Sequence, residues 1–394
     1  MNIYLITSYI SLLIWIYLLL IHGRAKITDK NVFWLSNIMF EKHIKEIKKE
    51  KNNDKVCVII PARNEEKTIN KTLSSIKNQS YKNIDIIVIN DNSSDRTSNI
   101  VNQFKQGFKK IILLNGKNLP SNWVGKTWAL KQGVDYANKK NFSYYIFMDS
   151  DIVIKKDVIQ NIISFIKEKN FLMVSLMAKL NCSSKWERVL IPAFIYFFQK
   201  LYPFNLVNTF DSKISAAAGG FILCRASIFQ KENQYNKIKN KLIDDCNLAK
   251  LLKKNGKIWL GLTNQVLSKR KYKNVGDVWK MVSRTAFEQL GHSFLLVFIT
   301  VIGLFIIYLF PCIVIFTSAF IFEFYKFNTE ILIINIISLI AMNIIYYPTI
   351  RFYRLKIYYV FTLPFSALLY VMMTLSSALN HLSNTGNNWK GRRY

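Results

Sequence analysis

Residues 56–66 read VCVIIPARNEE, in which five apolar residues run directly into a proline and a group of polar and charged side chains. A short, largely β-branched run of this kind is typical of a strand that is buried on both faces of a sheet. Ile69, Leu73 and Ile76 follow at helical spacing and predict a helix that covers the strand. A strand followed by a helix is the repeating unit of an α/β domain.

The same alternation continues along the chain. It predicts strands at 84–90 (IDIIVIN), 111–114 (IILL) and 144–148 (YYIFM), and one of the intervening helices from about 126 to 138. Continuous apolar strands joined by helices predict a mixed, mainly parallel sheet with helices on both faces. In such sheets ligands bind beyond the carboxyl ends of the strands.

Acidic and polar residues follow three of these strands, at 61–65 (PARNE), 91–95 (DNSSD) and 149–151 (DSD). Asp and Asn are common turn and cap residues. Two carboxylates in one tripeptide, however, can present oxygen ligands to a divalent ion that also binds substrate phosphates. This edge of the sheet is therefore predicted to bind a phosphorylated ligand together with a metal ion.

Residues 119–133, LPSNWVGKTWALKQG, contain Gly125-Lys126-Thr127, the tripeptide that ends the phosphate-binding loop of many nucleoside triphosphatases. That loop needs a glycine where this chain has Pro120, which lacks an amide hydrogen and has a fixed φ. The sequence therefore excludes that loop. It leaves Lys126 at the start of a helix, where it can meet the charged groups of a nucleotide.

The net charge is +30, with 54 Lys+Arg against 24 Asp+Glu, and it favours anionic partners such as lipid headgroups or nucleotides. The chain has no arginine-rich arm and no basic groove interleaved with aromatic residues, so we expect no nucleic-acid partner. The five cysteines form no CxxC pair and predict reduced thiols in the cytosol rather than disulfides or a zinc site. Protein partners are not indicated.

Both ends of the chain are apolar. Residues 3–21 carry no charge and precede the basic HGRAK, which predicts an uncleaved anchor and places the chain after Arg24 in the cytoplasm. Residues 294–322, 331–348 and 357–379 are also long enough to cross a bilayer. Strict alternation would put the basic C-terminus outside, at Lys390, Arg392 and Arg393, so the first or last of these segments lies in the interface or re-enters.

These patterns predict four parts: an N-terminal transmembrane anchor at 1–24, a juxtamembrane linker at 25–53, a cytoplasmic α/β domain at 54–290, and a C-terminal membrane region at 291–394 with two to three transmembrane helices. Residues 191–207 (IPAFIYFFQKLYPFNLV) predict either a helix in the headgroup region or a buried domain helix. The expected location is the cell (inner) membrane.

Four motifs, in order, resemble the signature of family 2 glycosyltransferases with the GT-A fold: VCVIIPARNEEKTI, VINDNSSDRT, the Asp-Ser-Asp after a strand, and IDDCNLAKLLKKNG. They cover about residues 54–285. LPSNWVGKTWALKQGV, AAAGGFILCRASIF, IWLGL and WKMVSRTAFEQL are similar to the hopene-associated subgroup, which has membrane segments at both ends. The resemblance implies a nucleotide-sugar donor, most commonly a UDP-sugar, and a role in hopanoid or polyprenoid lipid metabolism.

The resemblance also implies roles for matching residues. Asp245 matches the catalytic base, and Asp149 and Asp151 match the Asp-x-Asp pair that holds ribose and Mg²⁺ or Mn²⁺. The residues implied for the donor are Pro61, Arg63, Glu65, Asp91, Lys126 and Asp149. The residues implied for the acceptor and the donor sugar are Gly219, Gly220, Phe221, Asp244, Trp279 and Arg284. Asn92 replaces an acidic residue usual in the family, and Asp244 has helix capping as an alternative role.

The expected activity is inverting transfer of a sugar from a nucleotide-sugar donor to a lipid or lipid-linked acceptor at the cytoplasmic leaflet. A processive polysaccharide synthase is the first alternative, although only Trp279 and Arg284 remain of the Gln-x-x-Arg-Trp element of processive members. The second alternative is a membrane scaffold that binds nucleotide sugar without turnover, and the intact carboxylates argue against it.

Overall fold

The computed structural model describes residues 3–22, 35–47, 53–321 and 329–383. The strands are β1 (Val56–Ala62), β2 (Ile84–Asn90), β3 (Ile111–Asn115), β4 (Tyr144–Met148), β5 (Ile152–Ile154), β6 (Met173–Lys179), β7 (Phe221–Arg225) and β8 (Ile258–Ser268). The α-helices are α1 (Ile3–Leu20), α2 (Phe40–Lys45), α3 (Ile69–Lys77), α4 (Thr97–Gly107), α5 (Gly125–Ala137), α6 (Val158–Glu168), α7 (Lys185–Leu201), α8 (Phe204–Asn208), α9 (Ser227–Lys231), α10 (Asp244–Lys253), α11 (Val275–Ser283), α12 (Ala286–Gln289), α13 (Phe294–Leu304), α14 (Phe310–Ile321), α15 (Thr329–Phe352) and α16 (Leu363–Leu382). Short 3₁₀ segments lie at Leu35–Ile38, Gln234–Ile238 and Ile357–Thr362, and Phe305–Leu309 is π-helical.

The chain divides into two compact units. The α/β unit comprises Ser36–Asn181 and Phe204–Lys271, and the helical unit comprises Met1–Leu35, Cys182–Pro203 and Tyr272–Tyr394. The helical unit thus includes Cys182–Pro203 and residues 272–290, although we predicted both within a domain at 54–290. The predicted domain boundaries stay a prediction.

The α/β unit is built on one eight-stranded sheet in the order β3-β2-β1-β4-β7-β6-β8-β5. Four of its seven strand pairings are parallel, and the antiparallel ones join β7 to β4, β7 to β6 and β5 to β8. The predicted mixed, mainly parallel sheet is therefore confirmed. β2 and β4 have the predicted bounds, whereas β1 continues two residues beyond its prediction.

The central strands β1 and β4 are almost entirely apolar because both faces of the sheet are covered. Val58 and Ile60 of β1 belong to a core cluster that includes Leu73 of α3. On the other face, α5 approaches β1 and β2 so closely that a Cβ on Gly133 would lie 2.6 Å from Ile59 Cγ2 and 2.7 Å from Ile89 Cδ1. Helix α5 can therefore pack this closely against the sheet only because residue 133 is a glycine.

The helical unit contains four helices that are long and apolar enough to cross a membrane, among the residues that the structure describes: Ile3–Leu20, Phe294–Ser318, Thr329–Phe352 and Ile357–Leu382. Within it, Asn335 Nδ2 of α15 donates to Ser8 Oγ of α1 at 2.8 Å. Trp15 Nε1 donates to Ile307 O at 3.0 Å, in the π-helical turn. Such polar contacts join helices whose surfaces are otherwise apolar.

Helix α7 overlaps the helix that we predicted at 191–207 but has different ends. It begins at Lys185 and ends at Leu201 within the helical unit. Tyr370 Oη and Ser366 Oγ of α16 donate to the main-chain oxygens of Leu190 and Val189, at 3.0 and 3.1 Å. It is therefore packed against a candidate membrane helix rather than within the α/β unit.

Several predictions about the membrane topology concern residues that the structure does not describe. Arg24, most of the predicted linker, and the basic C-terminal residues Lys390, Arg392 and Arg393 lie outside the described residues. The predicted side of the membrane for each terminus therefore stays a prediction. All five cysteines lie in the described part and are free thiols.

The close packing of α5 against the sheet predicts that Gly133→Ala destabilises the α/β unit. The clash with Ile59 and Ile89 should outweigh the roughly 1 kcal/mol that alanine gains in a helix, for a net loss of about 1–2 kcal/mol. Denaturant unfolding of the detergent-purified protein, followed by tryptophan fluorescence, measures the change. Gly107→Ala, in α4, is the control, because its added Cβ would meet Lys77 Nζ at 3.9 Å. Equal stability of the two variants would contradict this packing.

Candidate active site

The polar segments that follow β1 and β2 lie together at one edge of the sheet. β1, β2 and β4 are parallel neighbours, so their carboxyl ends meet at this edge. The Arg63 guanidinium donates to the main-chain oxygens of Asp91 at 2.7 Å and Asn92 at 3.2 Å. The Asp91 N–H donates to Ala62 O at 2.8 Å. Arg63 therefore holds the backbone after β2 against the backbone after β1.

Side chains also join these two segments. Asn64 Oδ1 accepts from the Ser94 N–H at 2.8 Å, and the Glu66 N–H donates to Asp95 Oδ2 at 3.0 Å. Partial burial would raise the pKa of Asp95, but hydrogen bonds, first from the Thr97 hydroxyl, outweigh burial and hold that pKa below its usual value. The two segments thus form one cross-linked rim.

Lys126 is the second residue of α5, where the positive end of the helix dipole disfavours a cation. Its Nζ lies 2.9 Å from Asp149 Oδ1 and 3.7 Å from Asp244 Oδ1. Burial alone would lower the pKa of Lys126, but the negative charges of the nearby aspartates, Asp149 first, outweigh burial and raise it. Lys126 therefore stays charged and links the segment after β4 to the first turn of α10.

Asp245 is held by the backbone through both of its carboxylate oxygens. The Gly219 N–H donates to Oδ2 at 2.6 Å, and the Cys246 N–H donates to Oδ1 at 2.8 Å. Burial and then the negative charge of Asp244 raise the pKa of Asp245 to about 6, while Lys126 and the two N–H groups oppose this rise. The carboxylate therefore has one orientation and is ionised at neutral pH.

Helix α10 begins at Asp244, and its N-cap is Ile243, with no side-chain cap. The capping role that we considered for Asp244 is therefore wrong, because this carboxylate contacts Lys126 instead. Both acidic residues lie in the first turn, where the helix dipole favours negative charge.

Gly219 and Gly220 bring the segment before β7 into contact with these carboxylates. A Cβ on Gly219 would lie 2.9 Å from Asp245 Oδ2 and 3.2 Å from Lys126 Nζ, so a side chain at this position would separate the two charged groups from the backbone. The Asp149 N–H donates to Gly220 O at 3.1 Å. The antiparallel neighbour of β4 thus supplies one wall of the site.

Asp151 belongs to a second ion cluster. Arg270 Nε lies 3.2 Å from Asp151 Oδ2, and Arg270 Nη2 lies 3.1 Å from Glu65 Oε1. Ser268 Oγ donates to Asp151 Oδ2 at 3.0 Å. Burial chiefly raises the pKa of Asp151, and the charges of Asp149 and Glu65 add to this rise against the effect of Arg270. Asp151 is therefore held by Arg270 and Ser268, whereas Asp149 pairs with Lys126.

Comparison with known proteins identifies the part of the chain that carries the loops after β1, β2 and β4. Residues 57–232, which include the loops after β1, β2 and β4 and the strand β7, match the model of glycosyl transferase family 2. This segment is a family 2 glycosyltransferase domain.

Known relatives match shorter stretches of this chain. A probable glycosyltransferase, YdaM, of Bacillus subtilis (strain 168) is 41% identical over 102 residues, which are 25% of this chain and 24% of YdaM. A 4,4′-diaponeurosporenoate glycosyltransferase of Staphylococcus haemolyticus (strain JCSC1435) is 35% identical over 102 residues, 26% of this chain and 25% of that protein. The chain thus spans about a quarter of the length of these relatives.

Among solved structures, the chain resembles the mannosyltransferase PcManGT from Pyrobaculum calidifontis, determined in complex with GDP-Man and Mn²⁺. The likeness covers 97% of this chain and 96% of that one, with 12% sequence identity and a TM-score of 0.46. The hopene-associated subgroup that the sequence suggested stays a prediction.

A pocket in the α/β unit is lined by six of the fourteen predicted site residues. These are Pro61, Lys126, Asp149, Gly219, Asp244 and Asp245. Tyr235 also lines it and was not predicted from the sequence. Its phenol feels the charges of Asp244 and Asp245, although burial is the main cause that raises its pKa. An isolated tyrosine in a polar segment carries no sequence signal for such a place.

Eight predicted residues do not line this pocket: Arg63, Glu65, Asp91, Asp151, Gly220, Phe221, Trp279 and Arg284. Phe221, the first residue of β7, is fully buried and belongs to the main hydrophobic core cluster. Trp279 and Arg284 belong to the helical unit, where Trp279 Nε1 donates to Ser376 Oγ of α16 at 3.2 Å. Their predicted contact with a sugar stays a prediction.

The predicted metal site has oxygen ligands but is incomplete by itself. In the described ranges, no group of three His, Cys, Asp or Glu side chains could hold a metal ion. Asp149 and Asp151 nonetheless offer two carboxylates, separated by one residue, in the short loop between β4 and β5. Mg²⁺ and Mn²⁺ commonly take one or two carboxylates and complete their coordination with phosphates and water. The donor set therefore fits a divalent ion that binds together with a diphosphate.

The raised pKa of Asp245 predicts a pH-dependent effect of Asp245→Asn on stability. The pKa of this carboxyl is about 6 in the folded protein and lower when unfolded, so its ionisation reduces the free energy of unfolding as the pH rises through about 6. Relative to the unsubstituted protein, Asp245→Asn should therefore raise the unfolding temperature more at pH 8 than at pH 5. Thermal unfolding at the two pH values measures the difference.

Asp211→Asn, which removes the same charge from an exposed position of the α/β unit, is the matched control and should show no such difference. An Asp245→Asn effect that is identical at both pH values would contradict the electrostatic description of the pocket.

Proposed function

We propose that the chain is a membrane-anchored inverting glycosyltransferase that moves a sugar from a nucleotide-sugar donor to a lipid or lipid-linked acceptor. The observation that carries the proposal is the bridge from Lys126 to Asp149 and Asp244, beside the backbone-held carboxylate of Asp245. It brings a fixed cation and an oriented base into one pocket at the carboxyl edge of the sheet.

The nucleotide would bind where the rim is cross-linked. Pro61 lines the pocket, Arg63 orders the backbone at Asp91, and Glu65 lies beside it in the first segment. A site whose groups are fixed before the ligand arrives loses less conformational entropy on binding. We assign this rim to the nucleoside and propose a UDP-sugar as the donor.

The leaving diphosphate would be neutralised by Lys126 and by a divalent ion held by Asp151 and Asp149. When bound, such an ion stabilises the negative charge that develops as the sugar leaves. Lys126 supplies a positive charge that needs no reorganisation, because the aspartates already hold it in place.

Asp245 would take the proton from the acceptor hydroxyl. Both oxygens already accept backbone hydrogen bonds, so the carboxylate presents its remaining lone pairs in a fixed direction. A base with a pKa of about 6 is ionised at pH 7 and still basic enough to assist proton transfer. A single displacement at the anomeric carbon inverts its configuration.

The acceptor class rests on the apolar helices. Four of them could span a membrane, which supports an acceptor that is itself held in the bilayer. The similarity to a protein named 4,4′-diaponeurosporenoate glycosyltransferase supports the same class. We propose that transfer takes place at the cytoplasmic leaflet of the cell membrane, and we retain hopanoid or polyprenoid lipids as candidate acceptors.

The test is a transfer assay on the full chain in detergent, with Mn²⁺, a panel of nucleotide sugars and a lipid extract. Release of free nucleotide should depend on one donor and increase with the extract. Asp245→Asn should lower turnover by about 10²–10⁴-fold, the range for loss of a general base, while donor binding remains.

Asp211→Asn removes the same charge outside the pocket and is expected to turn over normally. Mass analysis of the lipid product identifies the acceptor, and a ladder of sugar units would indicate a processive synthase instead. Normal turnover by Asp245→Asn would remove this residue from the proposed mechanism.

A further inference from the structure

Arg270 connects two carboxylates, and no sequence motif predicts its pairing with either of them. Its guanidinium contacts Asp151 Oδ2 through Nε and Glu65 Oε1 through Nη2, at 3.2 and 3.1 Å. The Asp151 and Glu65 side chains are each 9% exposed, whereas the Arg270 side chain is 36% exposed. Arg270 thus reaches from the solvent side of the cluster to neutralise two buried charges.

Two hydrogen bonds from residues other than Arg270 also hold Asp151 in place. Ser268 Oγ donates to Oδ2 at 3.0 Å, and the Lys269 N–H donates to the main-chain oxygen of Asp151 at 2.8 Å. The carboxylate is therefore expected to keep its place when the guanidinium moves. A buried carboxylate that loses its cation is costly, so another cation must replace the one that leaves.

A divalent ion on either oxygen of the Asp151 carboxylate would lie close to the guanidinium that contacts Oδ2. Two cations at one carboxylate repel each other strongly in a site that is shielded from water. Metal binding and the contact between Arg270 and Asp151 therefore oppose each other.

We infer that Arg270 is an internal counter-cation that must leave Asp151 before the divalent ion binds, and that this exchange couples metal binding to nucleotide binding. The inference rests on the proposed function, which makes Asp151 a metal ligand. A diphosphate supplies both ligands for the metal and a new anionic partner for the released guanidinium. Without the diphosphate, the metal must displace Arg270 with no compensation.

The test measures Mn²⁺ binding by electron paramagnetic resonance, using the full chain in detergent with and without UDP and with no acceptor present. Arg270→Gln should bind Mn²⁺ roughly tenfold more tightly than the unsubstituted protein when UDP is absent, because the competing cation is gone. The gain in Mn²⁺ affinity that UDP produces should be smaller in this variant, since the coupling is reciprocal.

Three further variants make the result specific. Lys269→Gln removes the same charge from the adjacent exposed residue and should leave Mn²⁺ affinity unchanged. Asp151→Asn in the Arg270→Gln background should abolish the gain, which locates it at this carboxylate. Arg270→Lys keeps the charge without the planar fork and should give an intermediate affinity, and it decides the question if Arg270→Gln does not fold.

Equal or weaker Mn²⁺ binding by Arg270→Gln would overturn the inference, and so would the absence of Mn²⁺ binding from all of these proteins. The transfer assay with Asp245→Asn is scored separately. A protein that transfers sugar but shows no effect of Arg270 on Mn²⁺ affinity would refute the exchange and leave the proposed function standing.

Discussion

The site depends on the ion pairs of one lysine. Lys126 begins a helix whose dipole opposes its charge, and burial opposes that charge as well. The Asp149 and Asp244 carboxylates compensate for both effects, at 2.9 and 3.7 Å. These carboxylates come from different parts of the chain, so the charge balance is met only when β4, α5 and α10 are all in place. Burial and the charge of Asp244 raise the pKa of Asp245, and the charge of Lys126 limits this rise to about 6, so that Asp245 is ionised at neutral pH.

The topology of the sheet explains why these elements meet. The parallel strands β1, β2 and β4 place their following loops at one edge, and the rim there is cross-linked by Arg63 and by the side chains of Asn64 and Asp95. The antiparallel strand β7 enters beside β4 and brings Gly219 to Asp245. In the α/β unit, the cross-linked rim after β1 and β2 thus lies at the same edge of the sheet as the backbone that holds the Asp245 carboxylate.

Local sequence patterns predict part of this arrangement. The apolar runs at 84–90 and 144–148 mark β2 and β4 correctly, because a strand buried on both faces has an uninterrupted signal. The short strands β5 and β7, which pair antiparallel, have no such signal. Arg270 has none either, because its partner Asp151 lies 119 residues earlier in the chain. Phe221 was placed near the sugar from its motif, whereas in the structure it is buried among residues of other strands and helices. Tertiary pairing, which is invisible in a local window, determined each of these differences.

The central claim is that a diphosphate and a sugar occupy the space between Lys126, Asp151 and Asp245. The most direct measurement is a structure of the protein with Mn²⁺ and the nucleotide sugar that it binds, with the metal located by anomalous scattering. The proposed mechanism predicts Mn²⁺ on Asp151, a diphosphate oxygen in contact with Lys126 Nζ, and the sugar's anomeric carbon facing Asp245. Donor density on another surface, or a sugar that Asp245 cannot reach, would contradict it.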